Sequence, residues 1–395
     1  MSILFWLMGG WLAAVAVLVG AYGRPLARRW REPVLADPVL IVESDDWGAG
    51  PEIQVEALER LRACLLRHRD AEGRPAVMTL ALVLALPDGP AIAAEGRYRR
   101  RHLGESAYGA LRQVLLQGAR DGVFGLQLHG LEHYWPATLM ASTDPAVERW
   151  LRADAPQLTE ELPSHLQSRW TDARRLPSHP LTDAAIAAAV AEETALYQAV
   201  LGMPARVAVP PTFVWDERVE QAWHAAGIQV VVTPGVRNRC RDGQGRPGCQ
   251  EGPFLNGEVG AGVRYLVRDD YFEPEKGHRP EGALAALTRK WRQGRPCLFE
   301  THRSNFIGAQ ADEALAALDA LFEKALEEHP RLRFLSTEAL AQGIQDKDPK
   351  LLVASFPRRL ACWVERIGEV PRFGRLARGL GLLPLLRLVS RPWAR

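Results

Sequence analysis

Apolar runs and amphipathic segments alternate along most of this chain. Eight short runs have the character of strands, and the continuously apolar ones are typical of strands buried on both faces of a parallel sheet. These runs lie at residues 39–42, 76–86, 123–128, 206–209, 228–232, 263–267, 297–299 and 333–335. Segments with helical periodicity lie at residues 53–68, 106–121, 181–201, 217–226, 282–292, 312–328 and 338–345. This alternation predicts an α/β fold, and the strand count favours a distorted (β/α) barrel of seven or eight strands.

The N-terminal segment has a different pattern. Residues 2–22 contain 21 residues without a charged side chain, enough for a helix to cross a hydrocarbon core of about 30 Å. A cleaved signal peptide is the alternative, with residues 21–23 as an acceptable cleavage site. The length of the run and the absence of a preceding basic residue favour an uncleaved single-pass anchor over residues 1–23.

A basic linker over residues 24–36 follows this anchor. Arg24, Arg28, Arg29 and Arg31 stand directly behind the apolar run, so the positive-inside rule favours the cytoplasmic face for the rest of the chain. We expect the body of the protein to occupy residues 37–346.

The C-terminal tail, residues 347–395, is basic and rich in leucine. From Lys350 to Arg395 there are 10 Lys and Arg residues against 2 acids. Such a segment suits the surface of an anionic membrane, although a last helix packed on the domain has the same pattern.

Composition narrows the classes of protein. The chain is 47% hydrophobic and 24% charged, as globular proteins are, and its net charge of +2 gives no support for nucleic-acid binding. Five scattered cysteines suggest neither a disulfide framework nor a zinc site made only of cysteines. Cys240 and Cys249 could still bridge a loop in an oxidising compartment.

Polar clusters follow three of the predicted strands. Asp45 and Asp46 end the first, His129 and His133 follow the third, and His302 follows a late one. Because the carboxyl ends of barrel strands share one face, these side chains can converge there. Two imidazoles and a carboxylate are a suitable ligand set for a divalent metal with an open position.

This joint pattern resembles the polysaccharide deacetylase family, the NodB-homology superfamily of metal-dependent carbohydrate esterases, from about residue 39 to residue 337. The resemblance implies that Asp45 is the general base and that Asp46, His129 and His133 bind the metal. It also implies that His302 is the general acid.

The third motif of that family, Arg-Pro-Pro-Tyr, is similar only in part to Val209-Pro210-Pro211-Thr212. The Arg and the Tyr are missing, and the fourth motif has no recognisable counterpart. Five residues near the motifs are candidate contacts for the substrate, with the aromatic ones placed to stack on sugar rings. They are Trp47, Tyr134, Trp135, Pro211 and Arg303.

The activity implied by the resemblance is removal of an N-acetyl group from a carbohydrate, with Zn²⁺ as the expected cofactor and Co²⁺, Mn²⁺ or Ni²⁺ as alternatives. The anchor and the basic tail suggest a lipid-linked glycan held at a membrane surface. The family resemblance favours the extracytoplasmic face, against the charge rule.

Three other functions fit parts of the sequence. A binding protein on a degenerate deacetylase scaffold would explain the incomplete third motif. A glycosidase could use Asp45 and Asp270 as its two carboxylates. The segment from His129 to His133 also fits the His-x-x-Glu-His pattern of zinc peptidases, but Gly130 and Pro136 oppose the helix which that pattern needs.

Overall fold

A computed structural model describes residues 2–393 of the chain. Its strands are β1 (Val39–Gly48), β2 (Met78–Val83), β3 (Ala85–Pro87), β4 (Arg100–His102), β5 (Phe124–Leu128), β6 (Thr171–Asp172), β7 (His179–Pro180), β8 (Val207–Ala208), β9 (Val230–Thr233), β10 (Arg237–Arg241), β11 (Pro247–Glu251), β12 (Val259–Gly260), β13 (Val263–Val267), β14 (Asp270–Tyr271), β15 (Cys297–His302) and β16 (Arg333–Phe334).

The α-helices of the same residues are α1 (Ser2–Ala21), α2 (Gly23–Arg31), α3 (Gln54–Arg67), α4 (Gly89–Glu95), α5 (Gly109–Arg120), α6 (Pro136–Met140), α7 (Pro145–Leu151), α8 (Asp183–Leu201), α9 (Glu217–Ala225), α10 (Pro280–Arg292), α11 (Ala311–Glu328), α12 (Thr337–Gln345), α13 (Phe356–Ile367), α14 (Phe373–Gly379) and α15 (Leu382–Ser390).

One large sheet contains ten of the strands. Its order is β12-β13-β9-β8-β5-β2-β1-β15-β14, and β16 also pairs with β1. From β13 to β1 every pair is parallel, as is the β14–β15 pair, whereas β12 is antiparallel to β13. Each of the eight strand segments predicted from the sequence contributes a strand to this sheet, although the end of segment 76–86 belongs to β3, which pairs with β4 in a separate sheet. The expected number of seven or eight strands was too low, because β12 and β14 are only two residues long and leave no visible pattern.

The sheet is strongly curled. In the strand order, β13 and β14 are seven strand spacings apart, which would be about 34 Å in a flat sheet. Only Arg268 and Asp269 connect them in the chain, and a connection of that length spans about 10 Å at most. The two sides of the sheet must therefore approach each other. The α/β prediction is confirmed, and the sheet is curled like a barrel, although no ladder among residues 2–393 joins β13 to β14.

Helix α8 illustrates how local sequence sets the elements around the sheet. Thr182 precedes it, and its side-chain oxygen accepts a hydrogen bond from the backbone N–H of Ala185. Gly202 ends the helix in the left-handed conformation that glycine adopts without strain.

The chain divides into two compact units. One contains residues 40–284 and 298–342 and carries the large sheet. The other contains the two chain ends together with residues 285–297. The sequence predicted a body over residues 37–346, which includes residues 285–297, and that division stays a prediction.

A buried cluster of charges joins the three segments of the second unit. Arg295 binds both carboxylate oxygens of Glu32, at 2.7 and 2.9 Å. Arg366 donates hydrogen bonds to the backbone oxygens of Glu32, Pro33 and Gln293. Burial alone would raise the pKa of Glu32, but the positive charges of Arg366 and Arg295 lower it to about 2.

Helix α1 is long and apolar enough to cross a membrane, and 6% of its apolar window is buried. Helix α8 passes the same test of length and composition, but a third of its apolar window is buried, as in a core helix. Length and composition suit α1 equally to a membrane anchor and to a signal sequence.

We expect Glu32→Gln to lower the free energy of unfolding by about 3–5 kcal/mol, because it removes the buried carboxylate that balances the charges of Arg295 and Arg366. Arg295 keeps a second carboxylate partner, Glu369, whereas Arg366 keeps only backbone acceptors. Urea unfolding of the detergent-solubilised full chain measures this difference. The matched control is Glu365→Gln, which removes the exposed ion pair between Glu365 and Arg387 and should cost at most about 1 kcal/mol.

The effect should also depend on pH. The pKa of Glu32 is lowered from 4.5 to about 2, so its stabilising contribution is complete above pH 4.5 and disappears as the pH falls through 2. Equal destabilisation by the two variants at pH 7 would contradict this account of the cluster.

Candidate active site

A cavity of about 450 Å³ lies at the carboxyl ends of β1, β5 and β15. All five residues predicted to carry out the chemistry line it: Asp45, Asp46, His129, His133 and His302. They are separated by up to 257 positions in the sequence. The rule that parallel strands end on one face thus brings the three predicted polar clusters together.

A local irregularity in β1 allows two consecutive aspartates to reach one cavity. Consecutive residues of a regular strand point to opposite faces. Here the register between β1 and β2 shifts between Ser44 and Trp47, and Asp46 has φ 72°. That left-handed conformation is strained for a residue with a side chain. The bulge redirects the strand so that both carboxylates line the cavity.

Asp46, His129 and His133 form a compact group of potential ligands. Asp46 Oδ1 lies 3.3 Å from His133 Nε2 and 3.6 Å from His129 Nε2, and all three ligand atoms lie within 4.8 Å of one another. Two ligands about 2.1 Å from a tetrahedral zinc ion are about 3.4 Å apart. The spacing therefore fits a divalent ion.

Hydrogen bonding around this group supports the same assignment. His129 Nδ1 lies 2.8 Å from the backbone oxygen of Val209, so it is the donor and leaves Nε2 as a free ligand atom. Asp46 Oδ1 is buried without a hydrogen-bond partner in the described chain. A buried carboxylate oxygen of this kind is costly unless a cation or a donor meets it.

The protonation of the group also suits metal binding. Burial, and then the neighbouring His129, lower the pKa of His133 well below its usual value, so its imidazole is neutral, as a ligand must be. Burial raises the pKa of Asp46 to about 6, with a further contribution from Glu160. A bound cation would offset the cost of burying the ionised Asp46 carboxylate and so lower its pKa.

Asp45 has a different partner. The guanidinium of Arg268 binds both its oxygens, at 2.8 and 2.6 Å, and is itself fully buried. Burial alone would raise the pKa of Asp45, but the charge of Arg268 outweighs it and holds that pKa well below the usual range. Arg268 also contacts Glu43 at 2.9 Å and Glu300 at 3.2 Å.

Arg268 is a site residue that the sequence reasoning missed. The third motif lacks its arginine, but Arg268, directly after β13, places an arginine against Asp45. The available signal was its position, because it comes within three residues of the end of a predicted strand, as Asp45, His129 and His302 do.

His302 is paired with Glu273, which the sequence reasoning also missed. Its Nδ1 bonds to a carboxylate oxygen of Glu273, whose other oxygen accepts from Asn305 at 2.9 Å. Burial disfavours the imidazolium, but the bond to Glu273 and the charges of Asp46 and Asp45 raise the pKa of His302 to about 10. Glu273 lies in an irregular segment where no periodicity marks it.

The five predicted substrate contacts lie outside the cavity lining. Trp47 and Tyr134 are fully buried; the Trp47 indole donates to Ser44 and the Tyr134 hydroxyl bonds to Tyr98. Their rings are closed to a sugar in this conformation. The half-buried Trp135 lies beneath Arg169.

Pro211 and Arg303 are buried behind the cavity wall rather than in it. Arg303 binds Glu160, with contacts of 2.8 and 3.1 Å, and Glu160 lines the cavity. On either side of Pro211, Pro210, Thr212 and Phe213 are also part of the lining.

The structure does not have the geometry that the glycosidase and the zinc peptidase would need. Asp270 does not line the cavity with Asp45, as a glycosidase pair would. Glu132, the expected base of a peptidase, is fully buried and bound to Arg169 and Arg100. The residues from His129 to His133 are also not helical.

A second group of potential ligands lies on two helices. Asp319 Oδ1 is 2.6 Å from His68 Nε2 and 3.6 Å from Cys64 Sγ. Arg67 contacts the same oxygen at 2.7 Å. Because the guanidinium of Arg67 already neutralises this carboxylate, the group has no need of a metal ion.

Comparisons with known proteins find likeness in structure only. No protein-family profile and no curated protein matches the chain. Among solved structures, it is similar to a family 4 acetyl xylan esterase from Clostridium thermocellum in complex with a cobalt ion, with 11% identity over 77% of this chain and 91% of that one and a TM-score of 0.37. It is also similar to the peptidoglycan deacetylase PdaC from Bacillus subtilis, with 9% identity over 81% and 96% and a TM-score of 0.37.

A 4-alpha-glucanotransferase from Thermococcus litoralis is similar as well, with 11% identity over 89% of this chain and 48% of that one and a TM-score of 0.41. Scores below 0.5 at such identities describe a loosely shared architecture. The chemistry of this chain therefore has to be inferred from its own side chains.

We expect the purified chain, after incubation with Zn²⁺ and removal of excess metal, to retain about one ion per molecule by elemental analysis. The double variant His129→Ala/His133→Ala should lose it, because two of the three ligands are gone, while circular dichroism shows it still folded. The control His68→Ala should keep the ion. A parent chain free of metal after incubation with Zn²⁺, Co²⁺, Mn²⁺ or Ni²⁺ would contradict the assignment.

Proposed function

We propose that this chain is a metal-dependent hydrolase that removes an N-acetyl group from a carbohydrate or glycan. The observation that carries the proposal is the convergence of a metal-type group, Asp46, His129 and His133, with a paired Asp45 and a paired His302 around one cavity. Hydrolysis of an amide needs these three parts: an electrophilic centre, a base and an acid. The motif resemblance to polysaccharide deacetylases suggests the same reaction.

Asp46, His129 and His133 would hold the divalent ion, with Zn²⁺ as the first candidate. When bound, such an ion polarises an acyl carbonyl and makes water more acidic. The protein keeps the ligand set ready by holding His133 neutral and by fixing the tautomer of His129 through Val209.

Asp45 is the proposed general base. The bidentate bond to Arg268 keeps its carboxylate ionised and fixes its orientation toward the cavity. Glu43 and Glu300 share the charge of the same guanidinium, which limits how strongly Arg268 weakens Asp45 as a base. The carboxylate can then accept a proton as water attacks the carbonyl carbon.

His302 is the proposed general acid. With a pKa of about 10 it is protonated at neutral pH. Its Nδ1 is bound to Glu273, so the proton on Nε2 is the one available to the departing amine nitrogen. Glu273 stabilises the imidazolium before transfer and orients its ring.

The lining of the cavity is mainly acidic, with Asp45, Asp46, Glu160, Glu275 and Glu300 set against Lys276 and the histidines. Such a lining suits a neutral acetylated sugar as substrate and a cationic amino sugar as product. The apolar α1 and the basic tail suggest a lipid-linked glycan as the natural form of the substrate. Equal turnover of soluble and lipid-linked forms of one glycan would contradict that last assignment.

The main argument for a binding protein on a degenerate deacetylase scaffold is weakened. Such a scaffold was favoured by the absence of an arginine from the third motif, whereas Arg268 occupies the position beside Asp45 from another strand.

We expect Asp45→Asn to lower the rate of acetate release from N-acetylated oligosaccharides by about 10²- to 10⁴-fold, because the general base is lost. Metal content should remain that of the parent, since Asp45 is not in the ligand group. The control Asp172→Asn removes another aspartate paired with an arginine, Arg174, and should keep the parent rate. A folded, metal-loaded Asp45→Asn protein with the parent rate would refute the proposal.

The pairing of His302 predicts a pH effect. Without the Glu273 carboxylate, the pKa of His302 should fall, so its acid form should be lost at a lower pH. In Glu273→Gln the alkaline limb of kcat/KM should therefore move to lower pH by about one to three units. Glu281→Gln, at an exposed ion pair with Lys324, is the control. If the alkaline limb of kcat/KM does not move in Glu273→Gln, the general acid is a group other than His302.

A further inference from the structure

Exposed apolar side chains are concentrated at the two ends of the chain. Fifteen of the twenty large apolar residues that are exposed in the described chain belong to α1 or to the segment from α13 to Trp393. In the tail they include Leu376, Leu385, Leu388 and Trp393, which are 41–66% exposed. A surface of this kind marks an interaction site for lipid or for another protein.

The charges of the tail favour lipid. Arg372, Arg375, Arg378 and Arg391 are exposed, and no carboxylate within residues 2–393 pairs with them. The two acids between Lys350 and Arg395, by contrast, are engaged: Glu365 with Arg387, and Glu369 with Arg295. Unpaired arginines beside exposed leucines are the composition that binds the surface of an anionic bilayer.

Helix α14 runs alongside the second half of α1 in the opposite direction. At one end, the rings of Tyr22 and Phe373 are 5.6 Å apart. At the other end, the Trp11 indole donates a hydrogen bond to the backbone oxygen of Leu380 at 2.7 Å. Between them, Leu18 is buried in the same apolar cluster as Phe373 and Ala377. Helix α1 is therefore part of the folded unit from Trp11 onward.

This contact limits how far α1 can enter a bilayer. Arg375 and Arg378 stand on α14 between its two contacts with α1, and both are exposed. Charged side chains are strongly disfavoured in hydrocarbon but are favourable among lipid phosphates. The second half of α1 then lies at the level of the headgroups. The remaining free part, residues 2–10, is about 14 Å long, half of a hydrocarbon core of about 30 Å.

We infer that α1 and the tail helices form one lipid-binding element that enters a single leaflet. The N-terminus then stays on the side of the membrane that carries the C-terminus, which differs from the single-pass span expected from the sequence. Helix α1 is also retained, because its removal would expose the apolar residues of α14 that cover Leu18. This inference is independent of the proposed activity.

The test uses the full chain with a different peptide tag at each end, reconstituted into sealed vesicles of phosphatidylcholine and phosphatidylglycerol. A protease that cannot cross the bilayer is added outside. Entry into one leaflet predicts that each molecule loses both tags or keeps both. A span predicts that each molecule loses one tag and keeps the other, and that result would overturn the inference. Loss of the N-terminal tag in cells, before protease is added, would overturn it as well.

Two variants examine the role of the arginines. In Arg375→Leu/Arg378→Leu, the charges that hold α14 at the headgroups are gone, so molecules that lose only one tag should appear. Arg174→Leu, an exposed arginine outside this element, should give the parent pattern. If the double variant gives the same tag pattern as the parent, the role assigned to Arg375 and Arg378 is wrong. Protease added in detergent should remove both tags from every variant.

Discussion

The site depends on one buried guanidinium. Arg268 stands where the chain leaves β13 for β14, and it contacts Glu43, Asp45 and Glu300 from β1 and β15. These three carboxylates would repel one another in a dry interior without a cation among them. The same residue therefore joins the two sides of the curled sheet and sets the charge of the proposed base. The curling of the sheet and the charge of the proposed base therefore both depend on the Arg268 side chain.

Much of the fold follows from the pattern of the sequence. Continuous apolar runs predicted the parallel strands, and the polar residues after them predicted which side chains meet, because strand ends share a face. Asp45, His129 and His302 were predicted in this way, and all three line one cavity. The short strands β12 and β14 were missed because two residues carry no periodicity.

The parts of the site that were missed depend on three-dimensional contact. Arg268 and Glu273 are partners of Asp45 and His302, and a partner is defined by distance rather than by spacing in the chain. Trp47 and Tyr134 show the converse. They stand beside the motif residues in sequence, but strand alternation and local packing bury their rings. Proximity along the chain therefore does not by itself predict which side chains form the walls of a cavity.

The packing of α1 against the tail has a consequence for synthesis. The ribosome makes α1 first and α14 near the end, more than 350 residues later. At about 5–20 residues per second, the apolar helix waits roughly 20–70 s for its partner. During that interval its leucines and tryptophans have no protein surface to cover them. With the inferred entry of α1 into one leaflet, lipid or a targeting factor would have to receive the helix early, and delivery to the membrane would precede folding of the unit that later holds it there.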